Sequence, residues 1–408
     1  MKIVLVNHSD TRGGASVVSM RLLEALRARG AEASMLVVHK ATADPDVHFA
    51  GNALTRRAAF AAEHLRILAD TRGDRTNLFK ISIATDGLPL SRHPLVRQAD
   101  AVLLNWVNQG MLSLGEIRRI ADMGKKIIWT MHDLWCATGV CHHPENCRYH
   151  TSVSGCHDCP LLGRGAGAAD LSARTWERKR ALYADVPVTF VAVSNWLADE
   201  CRRSALLAGS RIEVIPNAFP VDRFRLDPLR SRQELGLPEG KIILMGAARL
   251  DDPIKGLPMA VDALNRVAAT DPGARAVFFG ALRNPRALDG LAMPYAHLGP
   301  VADHDLLADI YAHASVVLSS SHRETLPGTL IEGQASGAFP VSFLKGGQAD
   351  IIETGRTGYL ARYADTADLA AGIRLGLSRP VDPQILRAST LRFSPEAVAR
   401  RYMDLCAR

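Results

Sequence analysis

Short runs of β-branched and other apolar residues alternate with segments of helical period along this chain, and the alternation stops once and then restarts. KIVLVNHS (2–9) reads as a buried strand, and Val17, Val18, Leu22, Leu23 and Leu26 then recur at helical spacing. ASMLVVHK (33–40) is the next strand; AVLLNWV, KIIWTMHD and VTFVAVSN continue the series, and RIEVIPN (211–217) closes it. Strands of this kind, separated by helices, run parallel and are covered on both faces. Residues 218–240 carry three prolines and no strand pattern and read as a linker. The series resumes at KIILMGA (241–247) and passes through GLPMAVDALNRVAA, ARAVFFG, DHDLLADIYAHA and SVVLSSS. The last segment, SPEAVARRYMDLCAR, reads as a helix capped by Ser394. The expected fold class is α/β: two doubly wound halves of similar size, each binding ligands at the carboxyl ends of its strands. A cleft between the halves is the expected site.

A chain of 408 residues is too long for one ordinary core, which agrees with two domains. Its 47% hydrophobic and 22% charged residues are those of a globular protein. No run of eighteen apolar residues exists, so no spanning helix is expected. MKIVLVNHSD turns polar too soon for a signal peptide, and the expected location is cytoplasmic. The net charge of +7 suits an anionic partner, whether nucleic acid, phosphorylated ligand or acidic lipid, or a merely basic surface.

The fingerprints of nicotinamide dehydrogenases, P-loop NTPases and nucleophile-elbow hydrolases are absent. Two other constellations stand where strands should end. In ARLDDPIKG, Arg249 and Lys255 are two cations able to clamp a diphosphate. In HRETLPGTLIEGQASG (322–337), Glu324 and Glu332 lie eight residues apart, with Pro327 at a helix start. A helix N-terminus welcomes phosphate. Carboxylates accept hydrogen bonds from hydroxyls and grip a vicinal diol. Together they call for a ligand with hydroxyls on both sides of a diphosphate. The bland alternative is solvated cations, a glutamate answering the helix dipole, and an exposed one.

The E-x7-E spacing, the Arg-x5-Lys loop followed by Gly256, and VIPNAFPVDRF resemble the retaining glycosyltransferases of family 4, with the GT-B fold of two Rossmann-like domains facing a central cleft. The resemblance covers nearly the whole chain. It implies an acceptor-side domain over residues 1–220, a donor-binding domain over 221–392, and a crossover helix over 393–408 that packs on the first domain. It implies that Glu332 holds ribose hydroxyls of a UDP- or GDP-sugar, that Glu324 holds donor-sugar hydroxyls, and that Arg249 and Lys255 neutralise the diphosphate. Gly13 and Gly14 would let the first-half loop approach the donor, and His132 would sit beside the reacting carbon. The catalytic set it implies is His132, Glu324, Arg249 and Lys255, with no protein nucleophile and no catalytic divalent metal. One departure stands out. The family commonly has Phe-Gly two residues after the first glutamate, where this chain has Leu326 and Pro327; proline offers no amide N–H.

Five of seven cysteines fall within 24 residues: Cys136, Cys141, Cys147, Cys156 and Cys159. In a reducing compartment such a cluster points to a metal site before disulfides. Spacings of x5, x8 and x2 from Cys141 suit a four-thiolate structural zinc site, with disulfides, free thiols and an iron–sulfur cluster as alternatives. A sub-branch of the family resembles this loop, which spans 134–165 after the HD-x-W motif, and matches Cys141, Cys147, Cys156 and Cys159 but not Cys136. A closed site there would staple the loop beside His132.

Residues 53–75 read as a basic, partly amphipathic helix. Family acceptors are often lipid-linked sugars, so peripheral contact with the inner face of the plasma membrane is one expectation and an ordinary surface helix the other. The leading expectation is a hexosyltransferase that builds a cell-surface polysaccharide on a glycan or lipid-linked acceptor. The rivals are a nucleotide-sugar epimerase of the same fold, a zinc-containing nucleic-acid-binding protein and an inactive scaffold. The cysteine loop has a single arginine, Arg148, and no lysine, so no nucleic-acid partner is expected.

Overall fold

The computed structural model describes residues 1–144, 147–378 and 381–408. The chain forms two compact units, Met1–Ala218 with Val398–Arg408, and Phe219–Ala397.

Unit 1 is built on seven strands: β1 Lys2–Ser9, β2 Glu32–His39, β3 Val47–Phe49, β4 Ala101–Leu104, β5 Lys126–Met131, β6 Val188–Ala192 and β7 Arg211–Val214. All pairs are parallel, in the order β3-β2-β1-β4-β5-β6-β7. Its longer helices are α1 Gly14–Ala28, α2 Ala53–Asp70, α3 Pro94–Gln98, α4 Leu114–Asp122, α5 Leu171–Asp185 and α6 Asn195–Arg202. The strands read as near-continuous apolar runs because both faces are covered; Ile3 to Val6 are all buried.

Unit 2 carries β8 Lys241–Arg249, β9 Ala274–Ala281, β10 Tyr295–His297, β11 Ala314–Ser319, β12 Phe339–Phe343 and β13 Tyr359–Ala361. They are parallel in the order β10-β9-β8-β11-β12-β13. Helices α7 Leu257–Ala268, α8 His304–Ala312, α9 Gly328–Ala335, α10 Thr366–Leu377 and α11 Pro383–Ser389 accompany them. In each sheet the order reverses once, between β1 and β4 and between β8 and β11. Open sheets of this kind bind ligands at that reversal, outside the carboxyl ends.

The final helix, α12 Pro395–Ala407, begins where Ser394 Oγ accepts from the Ala397 amide at 3.2 Å. From Val398 onward it belongs to unit 1, where Val398, Tyr402 and Leu405 join the core under β1, β4 and β5. Tyr402 OH meets Thr130 Oγ1 at 2.9 Å. Each large apolar side chain buried this way contributes about 1.5–3 kcal/mol to holding the segment down.

Three strands escape the sequence pattern. β3, β10 and β13 have three residues each, too few for an alternation to show. The helix expected near 53–75 forms as α2, but its buried residues include Glu63 and His64, while Leu54 and Leu65 are 78% and 65% exposed. Glu63 turns inward because its carboxylate accepts the amides of Ile83 at 2.8 Å, Ala84 at 3.3 Å, and Gly110. No helix among the described residues is long and apolar enough to cross a membrane.

Candidate functional site

Four of the expected residues lie in unit 2, on the elements at the reversal of strand order, and two of them are brought into contact. Arg249 is the last residue of β8, and Lys255 ends the short turn that follows. Glu324 lies between β11 and α9, and Glu332 is one turn inside α9. Lys255 Nζ donates to Glu324 Oε1 at 2.6 Å, 69 residues away in sequence. The two loops are stitched along their backbones as well: His322 N donates to Ile254 O at 2.8 Å and Ser320 Oγ to Lys255 O at 2.9 Å. Gly256 makes this possible. Its φ is +65°, and a Cβ there would stand 2.2 Å from Ser320 O.

Arg249 is paired locally. Its Nη2 lies 2.7 Å from Asp252 Oδ2 and its Nε 3.8 Å from Asp251 Oδ1. Glu332 receives a hydrogen bond from the fully buried Tyr311 OH at 3.2 Å. Burial and that carboxylate together push the Tyr311 phenol well above its ordinary range, so it donates and does not ionise. Tyr311 is itself wedged edge-on between Phe224 and Phe279. The N-terminus of α9 follows Pro327 and has no side-chain cap, which leaves its first amides for an anion. Gly346 pairs with Glu324, and Gly347 N donates to Glu324 O at 2.9 Å, which fixes the loop after β12 against the same turn.

Unit 1 holds the remaining expected residues. Gly13, with φ +84°, precedes α1, and Gly14 opens it; a Cβ on either would meet nothing within 4 Å, so the space above them is open. His132 follows β5. Asn105 Nδ2 donates to Leu103 O at 3.4 Å, which turns Asn105 Oδ1 toward His132 Nε2 at 3.2 Å. An amide oxygen only accepts, so Nε2 carries the proton and Nδ1 is left with its lone pair. Burial holds the imidazole down to about 4, against the raising effect of Asp133, and the ring is neutral at pH 7.

Beside it lies a network that the sequence reading missed. Asp133 Oδ2 accepts from Trp106 Nε1 at 3.1 Å and meets His142 Nδ1 at 2.7 Å, while Oδ1 accepts the Trp135 amide at 2.8 Å. Burial works against its charge, but His142 and Trp135 outweigh it and hold the carboxyl at about 2. The HD-x-W motif carried the signal: the aspartate orders the turn on which His132 stands. Lys179 is buried beneath the same loop, donating to Trp135 O at 2.5 Å and Thr138 O at 2.9 Å.

The zinc expectation is not supported. All seven cysteines are free thiols, and among the described residues no three His, Cys, Asp or Glu side chains converge closely enough to hold a metal. Residues 145 and 146 of the loop lie outside the described set. Cys141 is tied into a bridge with Ile81, Cys156 Sγ accepts the Gly139 amide at 3.2 Å, and the Cys159 amide donates to Asp170 at 2.8 Å. Each thiol is thus placed by its own stretch of backbone. Burial pushes the Cys141 thiol up to about 12 and those of Cys156 and Cys159 to about 11.

The model of glycosyltransferase family 4 matches residues 12–223, and that of the group 1 glycosyl transferases matches 240–378. D-inositol 3-phosphate glycosyltransferase of Acidothermus cellulolyticus is 29% identical over 314 residues, which cover 71% of this chain and 62% of that protein. The protein of the same name from Geodermatophilus obscurus is 32% identical over 203 residues, 45% of this chain and 44% of that one. The matched part is therefore less than two thirds of either relative. Among solved structures, Anabaena HepE in complex with UDP has a TM-score of 0.65 at 16% identity, covering 100% of both chains. A glycosyltransferase from Rickettsia africae has a TM-score of 0.66 at 16% identity, covering 99% of this chain and 97% of that one.

Proposed function

This chain belongs to glycosyltransferase family 4, and from that premise we propose that it is a retaining glycosyltransferase that uses a nucleoside-diphosphate sugar. Its two Rossmann-like units are those of the GT-B fold. The observation that carries the reading is the Lys255–Glu324 pair at the strand-order reversal of unit 2, with Arg249 on the neighbouring strand end and Glu332 behind.

Breaking the bond between the sugar C1 and the diphosphate oxygen builds negative charge on the leaving group. Lys255, Arg249 and the open amides of α9 face that charge with fixed dipoles and cations. Glu324 accepts from donor-sugar hydroxyls, and Glu332, oriented by Tyr311, accepts from the ribose. The acceptor oxygen attacks C1 from the face the leaving group departs, and its proton passes to the departing phosphate oxygen. His132, in unit 1, is neutral and keeps Nδ1 as a hydrogen-bond acceptor. In this reading unit 1 takes the acceptor and unit 2 the donor. UDP is the favoured nucleotide, on the likeness to the UDP complex of HepE. The acceptor is a glycan or lipid-linked saccharide of a surface polysaccharide. A phosphorylated cyclitol is the second reading, on the name that the curated relatives share.

The outward stripe of α2, Leu54 and Leu65 with the exposed Arg57 beside it, suits peripheral contact with anionic lipid. Recovery on anionic vesicles that is unchanged by high salt would count against that contact.

The first test is a thermal-shift panel of nucleoside diphosphates and their sugars, on wild type and Glu332→Ala. A ligand bound only by the native state raises Tm. A shift with one nucleotide, lost in Glu332→Ala, supports the donor site; no shift with any member overturns the reading.

A further inference from the structure

Unit 1 carries a set of cations that the donor site does not use. Arg66, Arg174 and Arg178 line one cavity of about 810 Å³, together with Trp176, Thr85 and part of the cysteine-rich loop. The cations come from two elements: Arg66 from the last turns of α2, and Arg174 and Arg178, four residues apart, from the first turns of α5. Donors therefore surround the space from more than one side, which suits the spread of oxygens on a tetrahedral anion better than a planar carboxylate.

Arg178 is the group left over. Arg66 is paired with Asp86 at 2.7 Å, and Arg174 with Asp70. The half-buried Arg178 donates only to neutral acceptors, Ile83 O at 2.9 Å and Thr175 Oγ1 at 3.0 Å, and forms no ion pair among the described residues. Burial lowers its pKa first and the charge of Arg174 adds to that, while Glu63 and Asp86 act the other way; Asp70 and Glu177 also stand in the cavity lining.

A second group is also unmatched. Trp176 is 4% exposed, and its indole Nε1 has no hydrogen-bond partner. A buried N–H is nearly always paired in a folded protein. The ring is pressed into place by the cysteine-rich loop: Gly155 has φ +75°, and a Cβ there would stand 2.7 Å from the indole. Ser154, Cys156 and His157 follow as one wall of the cavity. The loop thus shapes the chamber that Arg178 and the Trp176 side chain line.

We propose that this cavity is a phosphate site, taking a phosphomonoester or phosphodiester on Arg178 with Arg174 and Arg66 beside it. That the phosphate belongs to the acceptor rests on the glycosyltransferase reading; the binding itself does not.

Calorimetry with inorganic phosphate, on full-length protein with UDP present to fill the donor clamp, tests the binding. Arg178→Gln should weaken phosphate at least tenfold, and Ala169→Glu, which sets a carboxylate on the exposed rim, should abolish it; UDP affinity should stay the same in both. A second arm uses phosphatidylcholine vesicles containing phosphatidic acid. Binding of inorganic phosphate that both variants lose supports a small phosphorylated ligand. Vesicle recruitment lost in Ala169→Glu, without free-phosphate binding, supports a lipid headgroup. The proposal is overturned if neither variant alters either arm, or if phosphate competes with UDP and is lost in Lys255→Ala. Failure of UDP to bind would sink the donor reading while leaving the phosphate arms readable through Ala169→Glu.

Discussion

Lys255 Nζ lies 2.6 Å from Glu324 Oε1, with both side chains about three quarters buried, so the cation expected on the diphosphate and the carboxylate expected on the sugar are each other's partner. A diphosphate must therefore compete with Glu324 for Lys255, while a hydroxyl-bearing sugar competes with Lys255 for Glu324. A nucleotide sugar meets both demands at once, and a bare nucleotide meets only one.

Glu324→Gln separates the two demands. It removes the competing charge from Lys255, so affinity for UDP should rise by about three- to tenfold, while transfer should fall by about 100-fold or more. Titration calorimetry and a transfer assay check this. Loss of UDP affinity together with transfer would show that the carboxylate does not compete with the diphosphate.

Lys255→Ala should lower kcat by about 100- to 1000-fold, the usual scale for a fixed charge at a leaving group. On the proposed reading Arg249 and Lys255 supply the charge a divalent ion supplies elsewhere, so transfer by the wild type should persist in EDTA. Activity abolished by EDTA and restored by magnesium would refute the metal-free clamp.

Tyr311→Phe removes one partner of Glu332 and little else, since the ring still fills the space between Phe224 and Phe279. KM for the donor should rise about three- to tenfold with kcat nearly unchanged, and stability should drop by about 1 kcal/mol. An equal fall in kcat would place the tyrosine's effect on the reaction step instead of ribose binding.

His8 and His132 each have a pKa held at about 4, below the ordinary 6.5; burial is the leading cause in both, and His39 adds to it for His8. As pH falls below 6.5, the unfolded chain takes up these protons first. Their stabilisation is full above 6.5 and is lost as pH falls toward 4, by about 2–3 kcal/mol for each ring. Thermal melts between pH 7 and 4.5 should show the loss, and His8→Gln should reduce its slope. A slope unaffected by the substitution would mean that His8 does not titrate in this window.

The sequence by itself determined the longer strands and their order, though not β3, β10 and β13. Continuous apolar runs such as KIVLVNHS and SVVLSSS can be satisfied only by strands covered on both faces, and the prolines of 218–240 interrupt the series. The positions of Arg249 at the end of β8, Lys255 and Glu324 in the loops after β8 and β11, and Glu332 inside α9 agree with the strand and helix pattern of the sequence.

Tertiary structure decided the rest, for contacts between distant residues carry no local period. Nothing in the spacing says that Lys255 and Glu324 pair across 69 residues, that Tyr311 backs Glu332, or that Glu63 turns into unit 1 to receive three amides. The cysteine spacing promised a metal, but a spacing fixes only distance along the chain. The turns that tie Cys141 to Ile81 and Cys156 to Gly139 set where the thiols stand, and among the described residues those positions bring no three ligand side chains together.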